Sequence, residues 1–353
     1  MDLPFSFDKI PAGEGIVGRN AEIAAVLSAL GQGGSSLALY GEARSGKETV
    51  VREAIDRYLQ KKSQVIVCEI DLSGLRTYEQ FTTLWRSRMK SCAEELNRGA
   101  LLPFEISLDE VPDKKLFDLP SIISGESGAQ MIVYFKEFQN LLRIEDEQFQ
   151  LEMLDRPWSR QKAIRYLFTG SFVNAMKSIF EERKCFYGMC RTMQLQPIDK
   201  RQVCEYIRSA FLNLGRVIEA EEILAIHEMS AGNMWYVKQL CSFCYSQPAG
   251  YVSRVTVNHA RDMLLAIHVP RFKHWLFDLT VNQINLLHAI VDGIRKFSSA
   301  ETLERYRLNS SAGVARSREA LAKRELVVFD EEDNARLTDP FFEYWLRNYY
   351  FVS

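Results

Sequence analysis

The segment Gly41-Glu42-Ala43-Arg44-Ser45-Gly46-Lys47-Glu48-Thr49 carries the residue types that bind phosphate, at the spacing of a phosphate-binding loop. Two glycines let the backbone curl so that N–H groups point inward at anionic oxygens. A helix that opens at the end of such a loop adds the positive end of its dipole. A lysine directly after the second glycine reaches the β- and γ-phosphates of a nucleotide. The next residue is ordinarily Ser or Thr, whose hydroxyl ligates Mg²⁺. Here it is Glu48. Thr49 lies one residue further on and projects about 100° away around a helix, so it is a poor substitute.

The elements needed to hold this loop are legible. Short apolar runs at 36–40, 64–70, 131–135, 163–168 and 192–195 fit strands buried on both faces of a parallel sheet. Helical patterns at 48–60 and 78–96 alternate with them, which predicts an α/β domain. After Pro197 the pattern changes: 199–214, 219–229 and 234–246 read as successive amphipathic helices with no strand between them. A third pattern follows, with helices at 281–292, 299–306 and 312–323, then a hairpin of 326–329 and 335–337 around an acidic turn. That is the outline of a winged helix-turn-helix. The aromatic segment 339–351 is expected to close it as a helix. The expected division is 1–196 (α/β), 197–276 (helical lid) and 277–353 (winged helix).

The 353 residues suggest two or three domains. Charge is balanced, with 44 Lys+Arg against 46 Asp+Glu, which argues against a dedicated nucleic-acid binder. No run is long and apolar enough for a membrane helix, and residues 1–11 do not read as a signal peptide. Seven scattered cysteines read as reduced thiols of a cytoplasmic protein. Cys241 and Cys244 fall among apolar residues at helical spacing and read as core rather than zinc ligands. The five histidines form no ligand pair at i,i+4.

Around the loop, the chain resembles the P-loop ATPases of the AAA+/STAND type, specifically the archaeal-type ATPase family, over almost its full length. The resemblance begins at Gly15-Ile16-Val17-Gly18-Arg19-Asn20-x-Glu22 and continues through the loop. It takes in a strand matching Walker B at 131–135, a sensor-like turn Thr169-Gly170-Ser171, Tyr187-Gly188, and Gly232-Asn233 in the lid. It implies an ATP or ADP site formed by Ile16, Val17, Arg19, Gly41, Arg44, Ser45, Gly46, Lys47, Glu48 and Thr49, with Ser171, Gly232 and Asn233 as sensor-like residues. Glu137 stands where the family places its water-activating glutamate.

Three departures fall on one chemical task, the handling of Mg²⁺ and γ-phosphate charge. Where the family reads Asp-Glu-Phe-Gln, this chain reads Lys136-Glu137-Phe138-Gln139. Glu48 replaces the metal-ligating hydroxyl, and Tyr187-Gly188 is followed by Met189 instead of Arg, with Arg191 two residues on. Phosphoryl transfer depends on positioning and charge stabilisation, so these losses should cut turnover severely and make Mg²⁺ a doubtful cofactor. A carboxylate about 4 Å from a phosphate costs roughly 4 kcal/mol at an effective dielectric near 20. Glu48 therefore needs a partner, and Lys136 is expected to form a salt bridge with it where the metal would sit.

Other residues have two readings each. Asn20 is expected to cap the helix at 21–30. Gly232-Asn233 reads as a helix-ending turn or as a sensor-like element. Ser171 reads as the cap of 172–180 or as a sensor. Trp235 and Tyr236 read as packing. The candidate recognition helix at 310–324 carries Arg316, Arg318, Lys323 and Arg324 against Glu319. Residues 280–353 nevertheless hold ten Lys+Arg against eleven Asp+Glu, which favours a protein partner or a solvated face over DNA. The expected function is a nucleotide-held switch or scaffold with impaired hydrolysis. The alternatives are an active ATPase that moves its winged helix, and a DNA-binding or protein-docking module that has lost nucleotide binding.

Overall fold

The computed structural model describes residues 5–31, 33–99, 111–147, 149–248, 250–330 and 334–352. The acidic residues Glu331, Glu332 and Asp333 of the expected wing turn lie outside them. The chain divides into two units: Arg19–Gly41 with Lys47–Leu195, and Met1–Gly18 with Glu42–Gly46 and Gln196–Ser353.

The first unit is α/β. Its strands are β1 (Ser36–Tyr40), β2 (Val65–Asp71), β3 (Gln130–Lys136), β4 (Arg165–Gly170) and β5 (Cys190–Gln194). All five expected strands are present, each within a residue or two of its expected bounds. They form one parallel sheet in the order β2-β3-β4-β1-β5. The helices are α1 (Asn20–Leu30), α2 (Lys47–Leu59), α3 (Tyr78–Gly99), α4 (Leu119–Ser127), α5 (Asp155–Arg160) and α6 (Val173–Lys177). Every residue of β1 is buried, as a central parallel strand covered on both faces requires.

Strand β4 lies between β1 and β3, so the chain passes outward from the ends of two non-adjacent strands. A crevice forms at such a switch point beyond the carboxyl ends of the strands. The two faces of β3 divide its side chains. Phe135 stacks on Phe168, with ring centroids 5.6 Å apart, and on Trp158 at 5.1 Å. With Trp85 and Phe138 they form a fully buried aromatic core, each well-placed pair contributing about 0.5–1.5 kcal/mol beyond its buried area. Successive strand residues alternate faces, so Tyr134 and Lys136 point the other way from Phe135.

The second unit contains α7 (Lys200–Asn213), β6 (Val217–Ile218), α8 (Ala220–Ser230), α9 (Met234–Ser246), β7 (Tyr251–Val252), α10 (Arg254–Phe277), α11 (Val281–Val291), α12 (Ala300–Arg305), α13 (Ser311–Lys323), β8 (Val327–Phe329), β9 (Ala335–Leu337) and α14 (Pro340–Trp345). The expectation of no strand after Pro197 needs correction: β6 and β7 pair in parallel. Two residues per strand are too few to show period-2 alternation. The long α10 is a further addition to the expected elements. It starts at a capping box of Ser253 and Thr256 and holds Pro270 within it, a residue that ordinarily signals a helix boundary. The winged pattern is as expected, with β8 and β9 antiparallel. Thr280, not Asn282, caps α11, in a capping box with Gln283. Asn282 instead donates to the Gly313 carbonyl and to Ser317 Oγ, fixing α11 against α13.

One core runs through this unit from Phe5 to Leu346. Phe341 of α14 stacks on Tyr236 of α9 (5.1 Å), and Phe342 packs on Phe272 of α10 (5.2 Å). Tyr236 OH and Arg271 Nη2 both donate to the Asp339 carboxylate, at 2.7 and 3.1 Å, and that carboxylate also caps α14 through the Phe341 and Phe342 amides. Cys241 and Cys244 are buried in this core, and among the described residues no His/Cys/Asp/Glu group could hold a metal ion. No helix among the described residues is long and apolar enough to cross a membrane.

Candidate functional site

The loop after β1 has the backbone that its glycines predict. Gly46 takes φ 96° and Arg44 φ 62°, both in the left-handed region that a side chain resists. Helix α2 opens at Lys47. The Lys47 side chain is buried, and its Nζ donates to the Gly41 carbonyl at 2.9 Å. Burial pushes its ammonium pKa down to about 8, against the opposing pull of the Glu137 carboxylate. A buried ammonium of this kind gains from any anion brought beside it.

The carboxyl ends of β3 and β4 add the rest of this cluster. Glu137 follows β3 with φ 52°. Both its oxygens are engaged: Ser171 Oγ donates to Oε1 at 2.6 Å and Gln139 Nε2 to Oε2 at 2.7 Å. Ser171 follows β4 and therefore does not cap the next helix. That cap position belongs to Phe172, which makes no side-chain cap bond. At the preceding Gly170 a Cβ would lie 2.4 Å from Met176 Sδ and 2.6 Å from Gln139 Oε1, so a side chain there would displace both.

Glu48 and Lys136 pair as expected, with Lys136 Nζ 2.5 Å from Glu48 Oε1. The pair is half of a larger network. Lys136 also bonds Glu69 on β2. Arg52, one turn along α2, reaches Glu48 through Nε and Glu69 through Nη2, both at 3.0 Å. The register explains the convergence. Tyr134 stands opposite Glu69 and Lys136 opposite Asp71, so Glu69 and Lys136 share the sheet face that carries Glu48 and Arg52. Burial pushes the Glu48 carboxyl up, but hydrogen bonds from Lys136 and Arg52 outweigh it and hold the group below its ordinary pKa. Burial likewise lowers Lys136 and Arg52, and their carboxylate partners more than reverse it, so both ammonium and guanidinium are held above their ordinary values.

Sequence reasoning missed Arg52 and Glu69. Arg52 had a visible signal, because an acid and a base four apart on a helix face each other. Glu69 had none, since only the β2–β3 register brings it in.

Arg191 does not supply the missing arginine of this cluster. It stands opposite Leu37 on β1 and donates to Ser35 Oγ at 2.7 Å. Ser35 and Gly41 are six residues apart along an extended strand, roughly 20 Å at about 3.3 Å per residue. Asn20 is not a cap: α1 begins with it, and the cap position falls to Arg19. Arg19 is buried and pairs with Glu22 at 2.8 Å.

Thr49 lies on α2 in the first unit, and the remaining expected site residues lie in the second. Ile16 and Val17 follow a 3-10 turn, Gly13–Gly15, and are half-buried. Arg44 places its guanidinium 3.5 Å from the ring centre of Trp235, and Glu42 pairs with Arg336 of β9. Ala231 and Gly232 are both left-handed after α8, and Asn233 caps α9 by accepting from the Trp235 amide at 3.0 Å. Gly232 and Asn233 thus form the turn between α8 and α9. On α13, Arg318 lies over the Phe329 ring at 4.4 Å and Arg324 pairs with Asp278 at 3.9 Å. These two cations are already used within the winged fold.

Residues 270–348 match the model of a probable winged helix domain. No curated protein sequence matches the chain. Among solved structures, a Walker-type ATPase of Pyrococcus abyssi aligns over 98% of this chain and 100% of its own, with TM-score 0.73 at 16% identity. The ORC2 protein of Aeropyrum pernix, solved as ADPNP–ADP complexes, aligns over 96% and 93%, with TM-score 0.59 at 14% identity. The ORC1 protein of the same organism, solved in complex with DNA, aligns over 99% and 97%, with TM-score 0.50 at 18% identity. The chain thus has the fold of the Pyrococcus abyssi Walker-type ATPase and of the Aeropyrum pernix ORC proteins, an α/β core of the P-loop NTPase fold followed by helices and a C-terminal winged helix.

Proposed function

We propose that the chain binds ATP or ADP at the loop of Gly41–Thr49 without using Mg²⁺, and acts as a nucleotide-held switch or scaffold rather than as a fast ATPase. Nucleotide binding is supported by the left-handed Gly46, by the buried Lys47 ammonium and by the helix that opens directly behind it. The backbone amides of the loop and Lys47 would hold the phosphates. Ile16, Val17 and Arg19 would frame the base, and Ser171, Gly232 and Asn233 would respond to what is bound.

The observation that carries the reading is the four-membered ion network. A P-loop site holds Mg²⁺ through a hydroxyl after the lysine and an aspartate at the end of the Walker B strand. Here those two positions carry a carboxylate and an ammonium joined to each other. The ammonium repels a metal ion, and the carboxylate is paired with two cations through Oε1. These residues do not fit magnesium. Glu137 accepts one hydrogen bond at each oxygen, from Ser171 and Gln139, and keeps a further lone pair on each, but without a metal beside it the charge that develops in phosphoryl transfer is left unstabilised.

The test is isothermal titration of nucleotide with magnesium and with EDTA, beside a phosphate-release assay. Equal affinity in the two buffers and no steady turnover are expected. Turnover that disappears with Lys47→Ala would establish the active-ATPase alternative. The winged helix is the proposed contact for a protein partner. With Arg318 and Arg324 committed internally, DNA is the less favoured occupant, which retention of a duplex on a gel at moderate salt would reverse.

A further inference from the structure

We infer that the site takes a metal-free nucleoside diphosphate in preference to a triphosphate. The inference rests on the nucleotide-binding reading above and narrows its ligand.

The argument is one of charge. In a P-loop site magnesium bridges the β- and γ-phosphates and neutralises the charge that the terminal phosphate brings. The side chains that converge here are Lys47, Arg52 and Lys136 against Glu48, Glu69 and Glu137. Within this cluster three cations face three carboxylates, and none is left over to replace the two positive charges of the metal; Arg44, on the loop itself, lies over the Trp235 ring. Lys136 is committed to Glu48 and Glu69, and Arg52 to the same two carboxylates. Lys47 remains as the cation directed to the loop, bonded to the Gly41 carbonyl.

The β-phosphate can be held by the loop amides and Lys47 alone, with the helix N-terminus behind them. The γ-phosphate has no such provision. It would extend toward the end of β3, where a metal normally meets it, and would find Glu137 and the neutral Glu48–Lys136 pair, whose ammonium is already engaged by Glu48 and Glu69. Glu137 is held rigidly by Ser171 and Gln139, so it cannot swing away without breaking two hydrogen bonds. Added negative charge meets a network whose cations are already balanced by its own carboxylates, so no net positive charge is there to offset it.

The test uses the full chain and four titrations: ADP and ATP, each in EDTA and in excess magnesium. ADP should bind at least about tenfold more tightly than ATP in EDTA, and magnesium should leave the ADP affinity unchanged. ATP binding as tight as ADP in EDTA, or an ATP affinity raised tenfold by magnesium, overturns the preference. If neither nucleotide binds, and Lys47→Ala gives the same blank trace, the nucleotide-binding reading itself fails. The double variant Glu48→Thr/Lys136→Asp supplies a second arm. It removes the ion pair and restores a hydroxyl and a carboxylate, so its preference should shift toward ATP with magnesium. A folded double variant, checked by its melting curve, that keeps the diphosphate preference shows that the ion network is not its cause and overturns the inference.

Discussion

Lys136 at the end of β3 and Glu48 in the first turn of α2 are joined head to head, Nζ to Oε1 at 2.5 Å. They are 88 residues apart in the chain. Their meeting turns two substitutions that each look damaging into one balanced arrangement, closed by Arg52 and Glu69.

Reversing one charge of this network should expose its hidden dependence on cations. Lys136→Asp would place three carboxylates, Asp, Glu48 and Glu69, against the single Arg52. With Lys136 largely buried and its partners about a third exposed, the expected loss is about 2–4 kcal/mol, below the full cost of an orphaned buried charge. Three clustered carboxylates are also a divalent-cation site. Magnesium or calcium should therefore raise the melting temperature of the variant and leave that of the parent chain unchanged.

The network also fixes the pH window of its own contribution. Glu48 titrates below its ordinary pKa of 4.5 in the folded chain, so its share of stability is present above that value and lost as pH falls through the lowered one. Lys136 titrates above 10.5, so its share is present below that value and lost as pH rises through the raised one. Denaturant midpoints of the parent and of Glu48→Gln should differ through the neutral range and converge in strong acid.

Lys47 behaves in the opposite sense. Its folded pKa is depressed from 10.5 to about 8, so the unfolded chain binds more protons between those values and stability rises with pH there. Lys47→Met should stabilise the ligand-free protein at neutral pH by up to about 3 kcal/mol, since each tenfold loss of proton affinity on folding costs about 1.4 kcal/mol. The gap should close as pH climbs from about 8 to 10.5. The same variant should lose nucleotide binding. Urea titrations at several pH values would check the first expectation and calorimetry the second.

His268 gives the second unit an acid-sensitive point. Burial, with Arg271 and Arg44 nearby, pushes its pKa down to about 4. Its ring packs against Trp235, Tyr236 and Phe341, and its Nε2 makes no hydrogen bond among the described residues. Because the unfolded chain protonates first, stability should fall as pH drops from 6.5 toward 4, by at most about 3 kcal/mol. His268→Phe should flatten that part of the stability curve.

Gly170 tests the tightness of the crevice floor. Gly170→Ala would push a methyl into Met176 and Gln139, an overpacking that costs about 1–3 kcal/mol. Moving Gln139 also loosens Glu137. Chemical denaturation would measure the loss, and a Met176→Ala background should relieve it in part.

The amino-acid sequence revealed most of the first unit because parallel strands leave long apolar runs and the phosphate loop is a local motif. The Glu48–Lys136 pairing was legible too, since the family resemblance puts two opposite charges at positions expected to share a metal, and those charges have one economical resolution. What stayed hidden depends on non-local geometry. Glu69 joins through strand register, and Ser171 bonds Glu137 instead of the helix next to it because β3 and β4 are neighbours. Helix α10 escapes a sequence reading because Pro270 interrupts the pattern of a helix whose partners come from α9 and α14. Propensity alone points to Asn20 as a cap, but Arg19 takes the position through its accepting carbonyl, which bonds the Ile23 amide.

The closed ion network has a consequence for how this protein could change over time. Neither Glu48→Thr nor Lys136→Asp is a neutral single change, because each leaves the remaining charges unbalanced. Lys136→Asp is the worse of the two, since Arg52 alone must then face three acids. The two positions are therefore coupled: a charge change at either one is tolerated best with a compensating change at the other.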